Sequence, residues 1–126
     1  RRNGQPIRVS GVTEPSRALI GTGFPFKHPE EMAPYVKVLP RLMERTAGLR
    51  RAGAAALDLC DVACGRFDAF WEYGLAPWDV AAGILIIREA GGVVTDLAGE
   101  PAVVQHGPVV AGNPTMHAWL LGQLSS

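Results

Sequence analysis

Short apolar runs alternate along the chain with stretches of helical period, and glycine or proline marks almost every change. "RALIGTGFPF" predicts a short strand ending at Gly21 and Gly23, with Pro25 stopping it. Residues 29–46 read as a helix whose start Pro34 delays and which Pro40 interrupts or kinks. "GLRRAGAA" predicts a strand at Leu49–Arg51 turning at Gly53 into the helix "AAALDLCDVACG", closed by Gly65. "RFDAFWEY" alternates like a strand, with Phe67, Ala69 and Trp71 on one side. Pro77 suits the first turn of a helix that runs to about Ala90 and stops at Gly91-Gly92. "VVTDLAG" reads as strand and turn, "PVVAGN" as an apolar strand, and "PTMHAWLLGQL" as a helix with Met116, Trp119 and Leu120 on one face. The opening "RRNGQPIRVS" predicts a tight Asn3-Gly4 turn and then a short strand. Such a turn needs a preceding strand, so the chain is expected to begin in mid-fold, with a tag remnant as the alternative. Strands alternating with helices define an α/β layered domain, a sheet with helices on both faces.

Composition narrows the function classes. The 126 residues suit one domain with a real core, and 48% of them are hydrophobic. Twelve basic and 12 acidic residues give a formal net charge of +0, so no general field draws the chain to nucleic acid or an anionic membrane. The longest apolar run, Val80 to Ile87, falls far short of the roughly 20 residues that span a bilayer. No basic start precedes an apolar signal-like region, and a reducing, cytoplasmic setting is expected. Cys60 and Cys64 share a helix face in neither a zinc nor a disulfide pattern, and read as small buried residues.

The awkward residue is Asp79, between Trp78 and a run of apolar and small side chains. With Pro77 first in the helix, Asp79 lies in the first turn, near unpaired N–H groups. It is either a helix-capping acid or a functional carboxylate at the mouth of a sheet, where α/β folds place ligands. The helix after it is apolar almost all round, which predicts burial between layers, and Ala81-Ala82-Gly83 permits close backbone approach. Glu72, at the end of the preceding strand, is either a cleft partner of Asp79 or a solvated strand-end acid. Gly53, Ala54 and Ala55 open another helix after a strand and offer either N–H groups to a ligand or small side chains to packing. Arg50 and Arg51 either reach a phosphate or sit at a strand edge, the latter favoured, and Asp58 and Asp61 read as a solvated helix face. His28, His106 and His117 show no ligand spacing, and neither a nucleophile elbow nor a glycine-rich phosphate loop occurs.

Taken together, "GTGFPF" and "LRRAGAAALDLCDVACGRFDAFWEYGLAPWDVAAGILIIREAGG" resemble the C-terminal half of the inositol monophosphatase family of metal-dependent phosphatases. The similarity runs from about Arg17 to Trp119; "PWDVAAGILIIREAGG" is its most specific part, and "GFPF" leans toward the bacterial branch. The resemblance implies that Asp79 coordinates Mg²⁺ and that Glu72 contacts substrate hydroxyls. It implies too that Gly53, Ala54 and Ala55 line the sugar or inositol pocket, bordered near Gly23-Phe24. The mechanism it implies is hydrolysis by two or three metal ions that polarise the phosphate, activate a water and stabilise the leaving oxygen. The family's D-P-[IL]-D-G-[ST] motif and an upstream glutamate hold most of the metal ligands, and no such motif occurs in these residues.

Residues 1–16 are therefore expected to be a remnant of a preceding sheet and linker, and 17–126 the C-terminal domain of such an enzyme. The whole is expected to hydrolyse a phosphate monoester, inositol 1-phosphate or a related polyol or sugar phosphate, with Mg²⁺. Its partners would be that small molecule, the N-terminal half of the same fold and a second copy in a homodimer, without nucleic acid or membrane. The 126 residues alone are expected to be inactive. The alternative is a non-catalytic, self-associating half-domain.

Overall fold

The computed structural model describes residues 7–23, 32–51, 55–75, 77–100 and 107–124, with the backbone alone at 32, 34, 55–57, 73–75, 77–80 and 107. Five strands form one sheet: β1 (Leu19–Thr22), β2 (Gly48–Arg50), β3 (Ala69–Leu75), β4 (Val93–Thr95) and β5 (Gly107–Gly112). Four α-helices accompany them: α1 (Met32–Arg45), α2 (Ala55–Ala63), α3 (Pro77–Glu89) and α4 (Pro114–Leu124). The strand order is β2-β1-β3-β5-β4. β1 runs parallel to both β2 and β3, while β5 is antiparallel to β3 and to β4.

This order explains why the helices divide between two faces. The β1–α1–β2 crossover steps one way across the sheet; β2–α2–β3 and β3–α3–β4 step the other way. Right-handed crossovers then place α1 on one face and α2 with α3 on the opposite one. Two cores result. Leu59, Val62 and Ala63 of α2 meet Phe70, Val109 and Ala111 of the sheet and Ile84 and Ile87 of α3. On the other face Tyr35, Val38 and Leu42 of α1 meet Ile20, Ala69, Trp71 and Val110, with Met116 and Leu120 of α4.

Alternation along β3 sends Ala69 and Trp71 to the α1/α4 face and Phe70 to the α2/α3 face. Phe67 does not join Ala69 and Trp71 as its spacing predicts. It precedes the strand, outside the pleat, and packs with Phe70. Asp68 links the starts of two strands: its backbone N–H donates to the Leu19 carbonyl at 2.8 Å, and its carboxylate accepts the Leu19 N–H at 2.6 Å.

Three further expectations change. The strand predicted after the Asn3-Gly4 turn is not formed among the described residues: residues 7–14 carry no regular element, and a 3-10 turn comes next at Pro15–Arg17. The segment is instead laid against the domain. Val9 N–H donates to the Ala90 carbonyl at 3.1 Å, and the Asn113 amide donates to Ser10 Oγ and to the Val12 carbonyl. The Asn3-Gly4 turn lies outside the described residues. The helix α3 is not enclosed on all sides either, since Leu85 is 59% exposed and Ala81 and Ala82 face outward. Among its described side chains the buried side is that of Gly83, Ile84 and Ile87, and a Cβ on Gly83 would come 2.6 Å from Leu59 Cδ1. Finally, Cys60 is exposed and Cys64 half-buried, because the face of α2 that carries Leu59, Val62 and Ala63 is turned to the core.

Candidate functional site

The parallel strands β1, β2 and β3 all end on one edge of the sheet, and the next helices, α1, α2 and α3, all start from it. Helix N-termini carry partial positive charge and unpaired N–H groups, so three of them at one edge favour an anionic or hydroxyl-rich ligand. The opposite edge, where β5 hands over to α4, is closed by protein instead: Asn113 Oδ1 caps α4 by accepting the Met116 N–H at 2.8 Å.

Glu72 lies at this edge. Its neighbours alternate to opposite faces, so its side chain leaves β3 on the same side as Phe70, toward α2 and α3. Residues Thr22 and Trp71 are in register, so Gly23 lies beside Glu72. A Cβ on residue 23 would overlap Glu72 Oε1, which means that the carboxylate lies against the bare backbone at the end of β1. Directly after Glu72 the β3–β5 register shifts: Glu72 opposes Val109, but Leu75 opposes Gly107. One extra residue on β3 makes a bulge there, a device that bends a strand and redirects the chain beyond it. Beyond this bulge the chain enters α3, with Asp79 as its third residue.

Tyr35 reaches the same edge from the other face. It is one of the buried residues of α1, and its hydroxyl lies 3.2 Å from Thr22 Oγ1. Burial raises the tyrosine pKa above its ordinary 10.0, and the Thr22 hydrogen bond opposes that rise. The Glu72 carboxylate raises it further and Arg51 lowers it, so both charges act at the Tyr35 hydroxyl. Arg51, just past the end of β2, is exposed.

Asp58 departs from the sequence expectation. It belongs to the first turn of α2 and is 1% exposed, and among the described residues neither of its oxygens has a hydrogen-bond partner. Desolvation, then the charge of Asp61, push its pKa up to about 6, with Arg51 opposing. Asp61 does match a surface role, half-buried and 3.6 Å from Arg66 Nη1. Their spacing of three puts the two acids on one side of α2, but the part of that side bearing Asp58 also bears Leu59 and Val62 and is covered.

The structure thus brings Glu72, the backbone of Asp79 and the start of α2 at Ala55 to one edge. Gly53, Ala54 and Phe24 lie outside the described residues, as do His28 and His106. Tyr35, Thr22 and Gly23 join the edge without a chemical motif to announce them. A tyrosine on the buried face with Val38 and Leu42 was the available signal, since a buried hydroxyl needs a partner. Among the described residues no three His, Cys, Asp or Glu side chains converge as a metal site does. Mg²⁺ takes near-octahedral oxygen coordination, so the described carboxylates do not by themselves make a Mg²⁺ centre.

Comparison with known proteins agrees with the fold. The chain belongs to the inositol monophosphatase family, whose model matches residues 1–126. It is 51% identical over 124 residues to the putative Nus factor SuhB of Neisseria meningitidis serogroup B, covering 98% of this chain and 48% of that protein. The crystal structure of the extragenic suppressor protein suhB from Bartonella henselae superposes with a TM-score of 0.91 at 41% identity, covering 98% of this chain and 48% of that one. The inositol monophosphatase of Anabaena superposes with a TM-score of 0.88 at 42% identity, over 99% and 50% of the two chains. The chain therefore spans about half the length of the curated relatives it matches.

Proposed function

We propose that this chain supplies one wall of the active site of a Mg²⁺-dependent phosphomonoesterase, acting on inositol 1-phosphate or a related polyol or sugar phosphate. The observation that carries the proposal is the Glu72 carboxylate seated on Gly23 at the carboxyl edge of the sheet, one connection before the helix start that bears Asp79. Glu72 accepts hydrogen bonds from substrate hydroxyls, which orients the ring. The helix starts at Ala55 and Pro77 turn their positive ends toward the negative charge of the phosphate. Asp79 is a Mg²⁺ ligand, Gly53, Ala54 and Ala55 border the ring, and the remaining carboxylate ligands come from the N-terminal half of the same fold. Residues 17–126 then form the C-terminal domain of that enzyme.

Phosphate release from inositol 1-phosphate by the full-length protein tests this. Activity that requires Mg²⁺ and falls at least about 100-fold in Asp79→Asn supports it, as expected for loss of a metal ligand. Turnover by residues 1–126 alone, or an Asp79→Asn protein of full activity, overturns it.

A second reading is a non-catalytic, self-associating module. It draws support from relatives named Nus factors and from large apolar side chains exposed on α1, Val36 at 53% and Met43 at 66%. A full-length protein without activity on any polyol or sugar phosphate, yet self-associating, favours it.

A further inference from the structure

The last ladder pair between β1 and β3 joins Thr22 to Trp71, and Gly23 and Glu72 come directly after it. Thr22 and Trp71 point to the α1/α4 face, and the Glu72 carboxylate leaves by the opposite one. Tyr35 meets both members of that pair from behind. Its hydroxyl lies 3.2 Å from Thr22 Oγ1, and its ring centroid is 5.8 Å from that of Trp71, with the planes tilted by 31°. All three side chains are buried. The Thr22 hydroxyl donates in turn to the Gly23 carbonyl at 3.5 Å, which leaves the Tyr35 hydroxyl as the donor between the two. The Trp71 indole N–H has no hydrogen-bond partner among the described residues, so packing holds that ring, Tyr35 included. Beyond the pair β1 has ended and β3 bulges, so the ladder does not by itself fix Gly23 against Glu72.

We infer that Tyr35 is a positioning residue for substrate recognition: from the far face of the sheet it clamps the ends of β1 and β3 together. The clamp fixes where the Glu72 carboxylate stands on Gly23, and with it which hydroxyls of a polyol phosphate that carboxylate reaches. The inference rests on the reading of Glu72 as the group that meets those hydroxyls. Tyr35 acts through Glu72 and not on the substrate, because the sheet lies between. The Glu72 charge is nonetheless felt at the Tyr35 hydroxyl, whose pKa is raised first by burial and further by that carboxylate. A displacement of about 1 Å at such a group can cost up to roughly 100-fold in rate, so a clamp this close to the carboxylate governs recognition.

Two variants of the full-length protein test the clamp. Tyr35→Phe keeps the ring and removes the hydroxyl, and Thr22→Val removes the other end of the same bond. Each is expected to lower the selectivity in kcat/KM for inositol 1-phosphate over phenyl phosphate, which has no ring hydroxyls, by about tenfold. The double variant should be no worse than either single one, and neither change should reduce the selectivity of Glu72→Gln further. A loss shared equally by both substrates is what a merely structural tyrosine gives, and it overturns the inference, as does additivity with Glu72→Gln. Crystal structures of the natural protein and of Tyr35→Phe decide independently of activity. The Glu72 carboxylate is expected to be displaced from residue 23 in the variant, and a carboxylate still in place overturns the inference. A natural protein that turns over neither phosphate overturns the phosphatase reading, and the clamp is then decided by the two structures alone.

Discussion

Gly23 and Glu72 form a matched pair at the carboxyl edge of the sheet: the carboxylate occupies the space that any side chain on residue 23 would take. The overlap is with the far end of a flexible side chain, so Gly23→Ala moves the carboxylate rather than the strand. The expected outcome is a small stability loss, under about 1 kcal/mol, and, given the proposed phosphatase activity, a fall in kcat/KM of the full-length protein comparable to that of Glu72→Gln. Chemical denaturation together with phosphate-release kinetics checks it. A Gly23→Ala enzyme with unchanged kinetics would remove Glu72 from the site.

Gly83 makes a different kind of contact. Its added Cβ would meet Leu59 Cβ at 2.8 Å as well as Cδ1 at 2.6 Å, and a Cβ is fixed to the backbone of α2. Gly83→Ala is therefore expected to force α2 and α3 apart and to cost about 1–3 kcal/mol in urea denaturation, despite the better helix propensity of alanine.

Asp58 makes stability depend on pH. Its folded pKa, about 6, lies above its ordinary 3.8, so the folded state holds the proton more tightly than the unfolded one. Its contribution is favourable below about pH 4 and is lost as the pH rises through 6, a swing on the order of 2–3 kcal/mol. Asp58→Asn is expected to raise stability at pH 7.5 and to flatten the pH profile between 4 and 7. Urea midpoints at a series of pH values decide the matter, and a destabilised Asp58→Asn at pH 7.5 would contradict the account.

His117 acts in the opposite direction. It is buried, with its Nε2 2.7 Å from Thr95 Oγ1, and burial lowers its pKa from the ordinary 6.5. The unfolded state then takes up the proton first, so stability is lost as the pH falls below 6.5. His117→Gln should remove that acid-side loss, and Thr95→Val should cost about 1–2 kcal/mol at pH 7.5 by leaving a buried ring nitrogen unpaired. The same denaturation series separates the two residues, because Asp58 and His117 tilt the profile in opposite senses.

Much of the architecture was legible from local pattern. The strands at Leu19, Leu49, Val93 and Val109, the helix starting at Pro77 and the closing glycines at 65 and 91, both with positive φ, depend on period and punctuation within a few residues. Glu72 and Asp79 could be singled out as carboxylates near a predicted strand end and at a helix start, although β3 continues past Glu72 to Leu75. The partition of helices between the faces, the burial of Asp58 and the exposure of Cys60 and Leu85 were not legible. Each depends on which side of a helix the sheet covers, and that is set by the strand order, in which β3 lies between β1 and β5. Gly23 and Tyr35 belong to the same class, since their meeting with Glu72 and Thr22 is made by strand pairing and interlayer packing. Local chemistry therefore settled most of the strand and helix segments and picked out the acids near their ends. Tertiary packing decided which of those groups are desolvated and which meet, because burial and proximity are properties of distant residues brought together.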